Sequence, residues 1–107
     1  MKNLAKTYFE IFSRKDIYEL SNLLADEIVL QDWDIHVEGK KQTLIAIKKI
    51  FDSVESIEVF LNNIYIVQNV AICLIEININ KDVHLKVIDI LKFNSENKII
   101  EISAYKQ

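Results

Sequence analysis

An aspartate inside a strongly apolar segment is the residue of this sequence that most clearly suggests chemistry. In KVIDILKF (residues 86–93), strand alternation places Asp89 on the same face as Val87 and Leu91. A carboxylate buried there is costly unless it is neutral or paired, and desolvation raises its pKa, by up to roughly 3–5 units when burial is complete. A protonated Asp89 would donate a hydrogen bond at neutral pH. The alternative is a structural aspartate that pairs with a lysine or caps a bulge.

Two further polar residues lie on apolar faces. Tyr8 shares a helical stripe with Leu4 and Ile11, and it is either a core tyrosine or a donor aimed at a developing oxyanion. Asp32 continues the alternation of Ile28, so it points inward at a strand end or lies in a surface turn. Tyr8 and a neutral Asp89 are both groups that can donate a hydrogen bond to a molecule in a cavity.

A metal site is a weaker hypothesis. Asp32, Asp34, His36 and Glu38 alternate along one segment and could present ligands to one side. The segment lacks the glycine and the terminal glutamate of a calcium loop, and it has no cysteine partner. We therefore expect no metal, and we expect both His36 and His84 to face solvent.

Composition excludes several classes of function. The chain has 107 residues, half of them hydrophobic, and a net charge of −3. Its thirteen basic residues are dispersed and Arg14 is the only arginine, which does not favour nucleic-acid binding. The single cysteine, Cys73, allows no intramolecular disulfide and is expected to be a buried core thiol.

Nothing in the sequence predicts export or a membrane span. The start, MKNLAKTYFEIF, does not resemble a signal peptide. The most apolar stretch, residues 64–79, is interrupted by polar residues and is too short to cross a membrane. A cytoplasmic protein without membrane or nucleic-acid partners is expected.

Helices are predicted early in the chain. Residues 4–12 have the spacing of an amphipathic helix, and residues 13–16 interrupt it. Asp16 can cap a second helix, with Glu19 three residues on. A short strand is expected over residues 28–33, and a third helix follows Gly39, capped near Thr43.

Strands fill the remainder. Residues 57–67, 70–79, 83–93 and 99–105 are rich in β-branched and aromatic residues, and short polar turns separate them. Helices followed by a meander predict an α+β domain over residues 1–107. Its three helices would pack on one face of a curved, mainly antiparallel sheet and leave a cavity between them. Because proline is absent and Gly39 is the only glycine, the turns must use Asn, Asp or Ser.

Three segments resemble the nuclear transport factor 2-like superfamily, which includes SnoaL-like cyclases and ketosteroid isomerases. They are YELSNLLADEIVLQDW, EGKKQTLIAIKKIF and VIDILKFNSENKIIEISAYK, and the resemblance spans nearly the whole chain. The resemblance implies three N-terminal helices packed on a curved sheet that forms a cone, the cystatin-like roll. This fold hosts many activities, so it does not select one.

Among these activities, the pattern is most similar to ketosteroid isomerase. The resemblance implies that Asp32 is the general base and that Tyr8 and a neutral Asp89 bind the oxyanion. We expect the substrate cavity to be lined by apolar side chains, namely Trp33, Phe12, Leu24, Phe51 and Leu91.

Departures from the isomerase pattern predict a smaller or differently shaped pocket. Trp33 replaces a proline that often follows the catalytic aspartate, and Leu24 replaces a tyrosine that supports the oxyanion tyrosine in some isomerases. The loop before Gly39 is short. These departures argue against a steroid substrate more than against the implied chemistry, the shift of a double bond in an apolar unsaturated ketone by proton abstraction and return, which needs no metal or organic cofactor.

Other readings remain open. The chain could be a non-catalytic module that binds a small apolar ligand, or a homodimer formed through the outer sheet face. A SnoaL-like cyclase or a dehydratase would also use acid/base residues in the cone. An epoxide hydrolase of the limonene type would need an inward arginine between two aspartates, and Arg14 lies in a helix break instead.

Overall fold

A curved six-stranded sheet carries three helices on its concave side in the computed structural model, which describes all 107 residues. The α+β class and the mainly antiparallel sheet are as the sequence predicts. The helices are α1 (Lys2–Ser13), α2 (Ile17–Ser21) and α3 (Lys40–Ser53). The strands are β1 (Leu24–Gln31), β2 (His36–Glu38), β3 (Ile57–Val67), β4 (Val70–Ile79), β5 (Val83–Phe93) and β6 (Ile99–Lys106).

The strand order is β2-β1-β6-β5-β4-β3, so the last strand of the chain lies in the middle of the sheet. All neighbours are antiparallel except β1 and β6, which run parallel. This pairing brings the end of β1 beside the middle of β5, with only β6 between them.

The three long strands β3, β4 and β5 have the bounds predicted from their β-branched and aromatic composition and the polar turns between them, whereas the prediction for β1 was wrong. The first strand begins at Leu24 and ends at Gln31, earlier than the expected 28–33. His36–Glu38, expected to be loop, forms a short edge strand paired with β1. Residues 32–35 are therefore the turn of a hairpin.

Local capping is confirmed for α2 and corrected for α3. The Asp16 carboxylate accepts a hydrogen bond from the Glu19 N–H at 3.0 Å. The third helix begins at Lys40 after Gly39, whose φ of 90° favours glycine. Thr43, expected near the cap, lies inside the helix and is buried.

Left-handed backbone occurs at five non-glycine residues, and only two of them are the expected asparagines. The five are Lys15, Gln68, Asn80, Lys81 and Asn97. Tight hairpins thus impose this conformation on lysine and glutamine too, because the twist of the flanking strands requires it.

One hydrophobic core of 19 buried residues lies between the helices and the inner face of the sheet. On β4 the buried Ala71, Cys73 and Ile75 alternate with the half-buried Ile72 and Leu74, which point to the other face. No helix covers that outer face. None of the three helices is both long and apolar enough to span a membrane.

Candidate functional site

A cavity of about 140 Å³ lies between the helices and the inner face of the sheet. Hydrophobic residues provide 16 of its 18 lining side chains, and the two exceptions are Asp32 and Asp89. Tyr8 adds a hydroxyl group to the lining. The other lining residues are Phe9, Phe12, Leu30, Trp33, Ile47, Ile50, Ile57, Val59, Ile75, Ile77, Ile79, Leu85, Val87, Ile102 and Ala104.

Tyr8 reaches the cavity from the buried face of α1. Its ring packs against Phe9 and Phe12, with centroid separations of 5.1 and 5.9 Å. Burial raises its pKa well above the usual value, and the charges of Asp89 and Cys73 raise it further. The hydroxyl therefore keeps its proton. It makes no hydrogen bond within the protein, so its donor capacity is available to a molecule in the cavity.

Asp89 lies in the middle of β5, between Cys73 of β4 and Ala104 of β6. The residue is 7% exposed, and its carboxyl group has no hydrogen bond and no ion pair in the protein. Burial, followed by the charge of Asp32, raises its pKa from 3.8 to about 7. Of the two structural alternatives, neither a lysine partner nor a bulge cap is present.

The unpaired groups of Tyr8 and Asp89 are not sealed inside the core. Thr43 Oγ1 is the one fully enclosed side-chain polar atom that lacks a partner. The polar side-chain atoms of Tyr8 and Asp89 also lack a hydrogen-bond partner, but they are not fully enclosed. They are therefore accessible from the cavity that they line. Buried polar groups without partners are uncommon in proteins and often mark functional sites.

Asp32 is held by the turn that joins β1 to β2. Its Oδ1 accepts hydrogen bonds from the N–H groups of Asp34 at 2.7 Å and Ile35 at 2.6 Å. Its own N–H donates to the Ile35 carbonyl at 2.9 Å. Because Oδ1 is occupied, Oδ2 is the carboxylate oxygen without a partner in the protein. The hairpin thus fixes the side chain and leaves one basic oxygen free.

The sheet register places the two carboxyl groups on either side of one small residue. Asp89 lies opposite Ala104, and Gln31, which precedes Asp32, lies opposite Ser103. Adjacent strands are roughly 4.8 Å apart, so the two backbones are about 10 Å apart. Ala104 lines the cavity between them and its methyl group leaves space there.

Trp33 marks the rim of the cavity. Its side chain lines the cavity, yet the residue is 47% exposed, so it lies between the interior and solvent. The Lys106 Nζ lies 5.2 Å from the centroid of its ring, in cation–π range. This contact joins the hairpin turn to the end of β6.

Of the apolar residues expected to line the cavity, Trp33 and Phe12 do so and three others do not. Leu24 pairs with Ile99, at the opposite end of β1 from Asp32. Leu91 lies two residues beyond Asp89 and is completely buried. Phe51 packs edge-on against the Phe12 ring at 4.9 Å, within the core.

Sequence reasoning treated Cys73 only as a core thiol, and that was confirmed because the residue is buried and free. Its position directly opposite Asp89 was not foreseen. The thiol pKa is raised to about 12 by burial and by Asp89. Cys73 thus contributes to the low-polarity surroundings of the aspartate. Counting the register back from the predicted turn at Asn80, Lys81 and Asp82, which joins β4 to β5, would have found this pair.

The histidines lie outside the cavity. His84 is exposed and contacts Glu76 at 2.7 Å and Asn78, while Asn62 donates to the other Glu76 oxygen at 2.6 Å. These bonds lower the pKa of Glu76. His36 is exposed near Glu38. No group of three or more His, Cys, Asp or Glu side chains is arranged to hold a metal ion.

The architecture, a curved sheet backed by helices, is the fold of solved NTF2-like proteins, and Tyr8, Asp32 and Asp89 line its cavity. The chain belongs to the SnoaL-like domain family, whose model matches residues 1–87. No curated protein sequence matches it significantly.

Solved structures share the fold at low sequence identity. A candidate SnoaL-like polyketide cyclase from Shewanella denitrificans has a TM-score of 0.88 at 12% identity, covering 99% of this chain and 89% of that one. An LEH-like epoxide hydrolase from M. tuberculosis has a TM-score of 0.85 at 13% identity, covering 98% and 80%. A candidate ketosteroid isomerase from Kribbella flavida has a TM-score of 0.82 at 14% identity, covering 98% and 76%. At these identities the likeness extends to the fold alone.

Proposed function

We propose that the chain is a cofactor-independent isomerase that moves a double bond in a small unsaturated ketone. The observation that carries this proposal is the convergence of Tyr8, Asp32 and Asp89 on one apolar cavity. None of the three polar groups aimed at the cavity is neutralised by a lysine or arginine. The presence of a candidate ketosteroid isomerase among proteins of the same fold supports the reading.

Asp32 acts as the base. Its free Oδ2 takes a proton from the carbon between the carbonyl and the double bond. The electron pair of the broken C–H bond forms a new C=C bond to the carbonyl carbon, and the C=O π pair moves onto the carbonyl oxygen. Asp32 Oδ2 then returns the proton to the far carbon of the former double bond as the C=O bond re-forms and the remaining double bond becomes conjugated with it. A positioned base of this kind contributes roughly 10²–10⁴-fold to the rate. The net reaction neither gains nor loses atoms.

Tyr8 and Asp89 stabilise the negative charge that develops on the oxygen. Both donate hydrogen bonds, which requires that Asp89 be protonated, and its pKa of about 7 allows this at neutral pH. In a cavity that excludes water, such donors act more strongly than they would in solution. An arginine between the two aspartates would suit epoxide hydrolysis, and no arginine lines this cavity.

Turnover of 3-cyclohexenone tests the proposal, because its product is conjugated and absorbs in the ultraviolet. Asp32→Asn should lower kcat by roughly 10²–10⁴-fold. The amide oxygen still accepts the N–H groups of Asp34 and Ile35, so the turn is retained. Asp34→Asn is the matched control, since its exposed side chain does not line the cavity. Equal rates for wild type and Asp32→Asn would refute the proposal.

A non-catalytic module that binds a small apolar ligand is the second candidate. The predominance of apolar side chains in the lining favours it. This candidate predicts that 2-cyclohexenone binds in the cavity and that the protein does not convert 3-cyclohexenone to it. Binding and turnover measured on the same protein therefore separate the two functions.

We also propose that a second copy of the chain covers the outer face of the sheet. Its centre is apolar, with Ile72 paired to Ile90 and Leu74 paired to Ile88 across the strands. Oppositely charged pairs flank this centre, Glu76 with Lys86 and Lys92 with Glu101. A face with balanced charge around an apolar centre is complementary to itself, which suits a two-fold dimer.

Light scattering after size exclusion tests this dimer. The wild type should elute as a dimer, and Ile88→Glu should be a folded monomer because it places a charge in the apolar centre. Lys81→Glu, in the exposed β4–β5 turn, changes charge away from this face and serves as the control. A wild-type monomer at micromolar concentration would contradict the proposal.

A further inference from the structure

The volume of the cavity limits what it can hold. An apolar cavity of roughly 150 Å³ in another protein takes up benzene, whereas sites for larger ligands measure roughly 300–1,000 Å³. At about 140 Å³, the cavity here has room for about one ring.

The polar groups span this space. Tyr8 of α1 is close enough to Asp89 of β5 for the Asp89 charge to raise the Tyr8 pKa, and Asp32 directly precedes the rim residue Trp33. A ketone that places its oxygen at the first pair and its reacting carbons at Asp32 therefore spans the cavity with one ring. A second fused ring would have to pass Trp33.

The side chains that line the cavity restrict its expansion. Seven of the lining residues are isoleucine, whose branched side chains have few accessible rotamers. They are Ile47, Ile50, Ile57, Ile75, Ile77, Ile79 and Ile102. At the rim, the Lys106 ammonium group lies over the Trp33 ring and favours its present orientation.

We propose that the substrate is a ketone of one-ring size, that fused-ring ketones are excluded, and that Trp33 sets this limit. The inference rests on the proposed isomerase function and narrows its substrate class. It separates this chain from an enzyme that would act on steroids.

A series of conjugated ketones that differ only in size provides the test. The three ligands are 2-cyclohexenone, a two-ring octalone and a four-ring steroid enone, and calorimetry measures their binding. Trp33 is the only tryptophan, so quenching of its fluorescence gives a second readout. We expect 2-cyclohexenone to bind with one site and the octalone to bind at least about ten-fold more weakly, because overpacking is costly. The steroid should not compete. A steroid that binds as tightly as 2-cyclohexenone would overturn the inference.

Variants at the rim test the role of Trp33. Trp33→Ala should remove the ten-fold preference for the smaller ligand, and Trp33→Phe should retain most of it. Tyr18→Ala removes an exposed aromatic side chain on α2 that does not line the cavity, and it should leave the preference unchanged. An unchanged preference in folded Trp33→Ala would show that Trp33 does not set the limit.

The Asp32→Asn variant separates this inference from the proposed function. It should bind 2-cyclohexenone like the wild type although it turns over 3-cyclohexenone slowly. Size-selective binding by a wild type without turnover would refute the isomerase and leave the size limit intact. Turnover of steroid and one-ring ketones at equal rates would refute the size limit and leave the isomerase intact.

Discussion

Asp32, at the end of β1, and Asp89, in the middle of β5, face one cavity with only β6 between their strands. Their surroundings differ. Two backbone N–H groups hold one oxygen of Asp32, whereas Asp89 is desolvated and has no partner. The charge of Asp32 also favours a proton on Asp89. The same side chain can therefore act as a base at one position and as a neutral donor at the other.

Stability should depend on pH through Asp89. Its pKa is raised from 3.8 to about 7 on folding, so the folded state binds the proton more tightly than the unfolded chain. The stabilisation is complete below pH 3.8 and is lost as pH rises through about 7. At about 1.4 kcal/mol per pH unit, the change approaches about 4 kcal/mol. Asp89→Asn should therefore stabilise the protein more at pH 9 than at pH 5.

Urea denaturation of the wild type and Asp89→Asn at both pH values measures this difference. Other ionisable groups are common to both proteins, so their contributions largely cancel. Asp82→Asn, an exposed residue of the β4–β5 turn, is the control and should show no such difference. An equal effect of Asp89→Asn at pH 5 and pH 9 would show that Asp89 is already ionised in the folded protein at pH 5.

Activity on 3-cyclohexenone should fall as pH rises through about 7. Asp89 must be protonated to donate to the oxyanion, and its pKa is about 7 in the free protein. The profile of kcat/KM should therefore decrease about ten-fold per pH unit above that value. Asp89→Asn keeps an N–H donor that does not ionise, so its profile should be flat there. A wild-type profile that stays level to pH 9 would exclude a neutral Asp89 from the mechanism.

Removal of the Tyr8 hydroxyl should affect catalysis far more than stability. Tyr8→Phe removes one oxyanion donor and should lower kcat by roughly 10²–10³-fold. The hydroxyl has no partner in the protein, so the midpoint of thermal unfolding should change little. Tyr18→Phe, on the exposed face of α2, should change neither quantity. A large loss of stability in Tyr8→Phe would instead indicate a structural role.

Filling the space at Ala104 should block the site without unfolding the protein. Ala104→Val places two more carbon atoms between Asp32 and Asp89, where the reacting carbons must lie. Binding of 2-cyclohexenone should weaken at least about ten-fold, since overpacking a filled cavity is costly. Calorimetry measures the binding and circular dichroism the fold. Ser103→Val, on the opposite face of β6, is the control.

The sequence by itself determined those features that depend on local periodicity. β-Branched and aromatic composition, bounded by polar turns, predicted β3, β4 and β5 to the residue. Alternation placed Asp89 on the inner face, since side-chain direction in a strand follows from position alone. Asp16 and Glu19 predicted the start of α2, because the capping hydrogen bond from the Glu19 N–H to the Asp16 carboxylate joins residues only three apart in the chain. Resemblance to a known family, rather than periodicity, related Tyr8 and Asp32 to Asp89.

Tertiary structure decided what depends on contacts between distant segments. The parallel pairing of β1 with β6 places Ala104 between Asp32 and Asp89, and no local pattern specifies that pairing. The same register buries Leu24 and Leu91 in the core rather than in the cavity. The size of the cavity and the position of Trp33 at its rim likewise emerge only when the helices pack on the sheet. Volume is a property of the assembled walls, so no single segment of the sequence determines it.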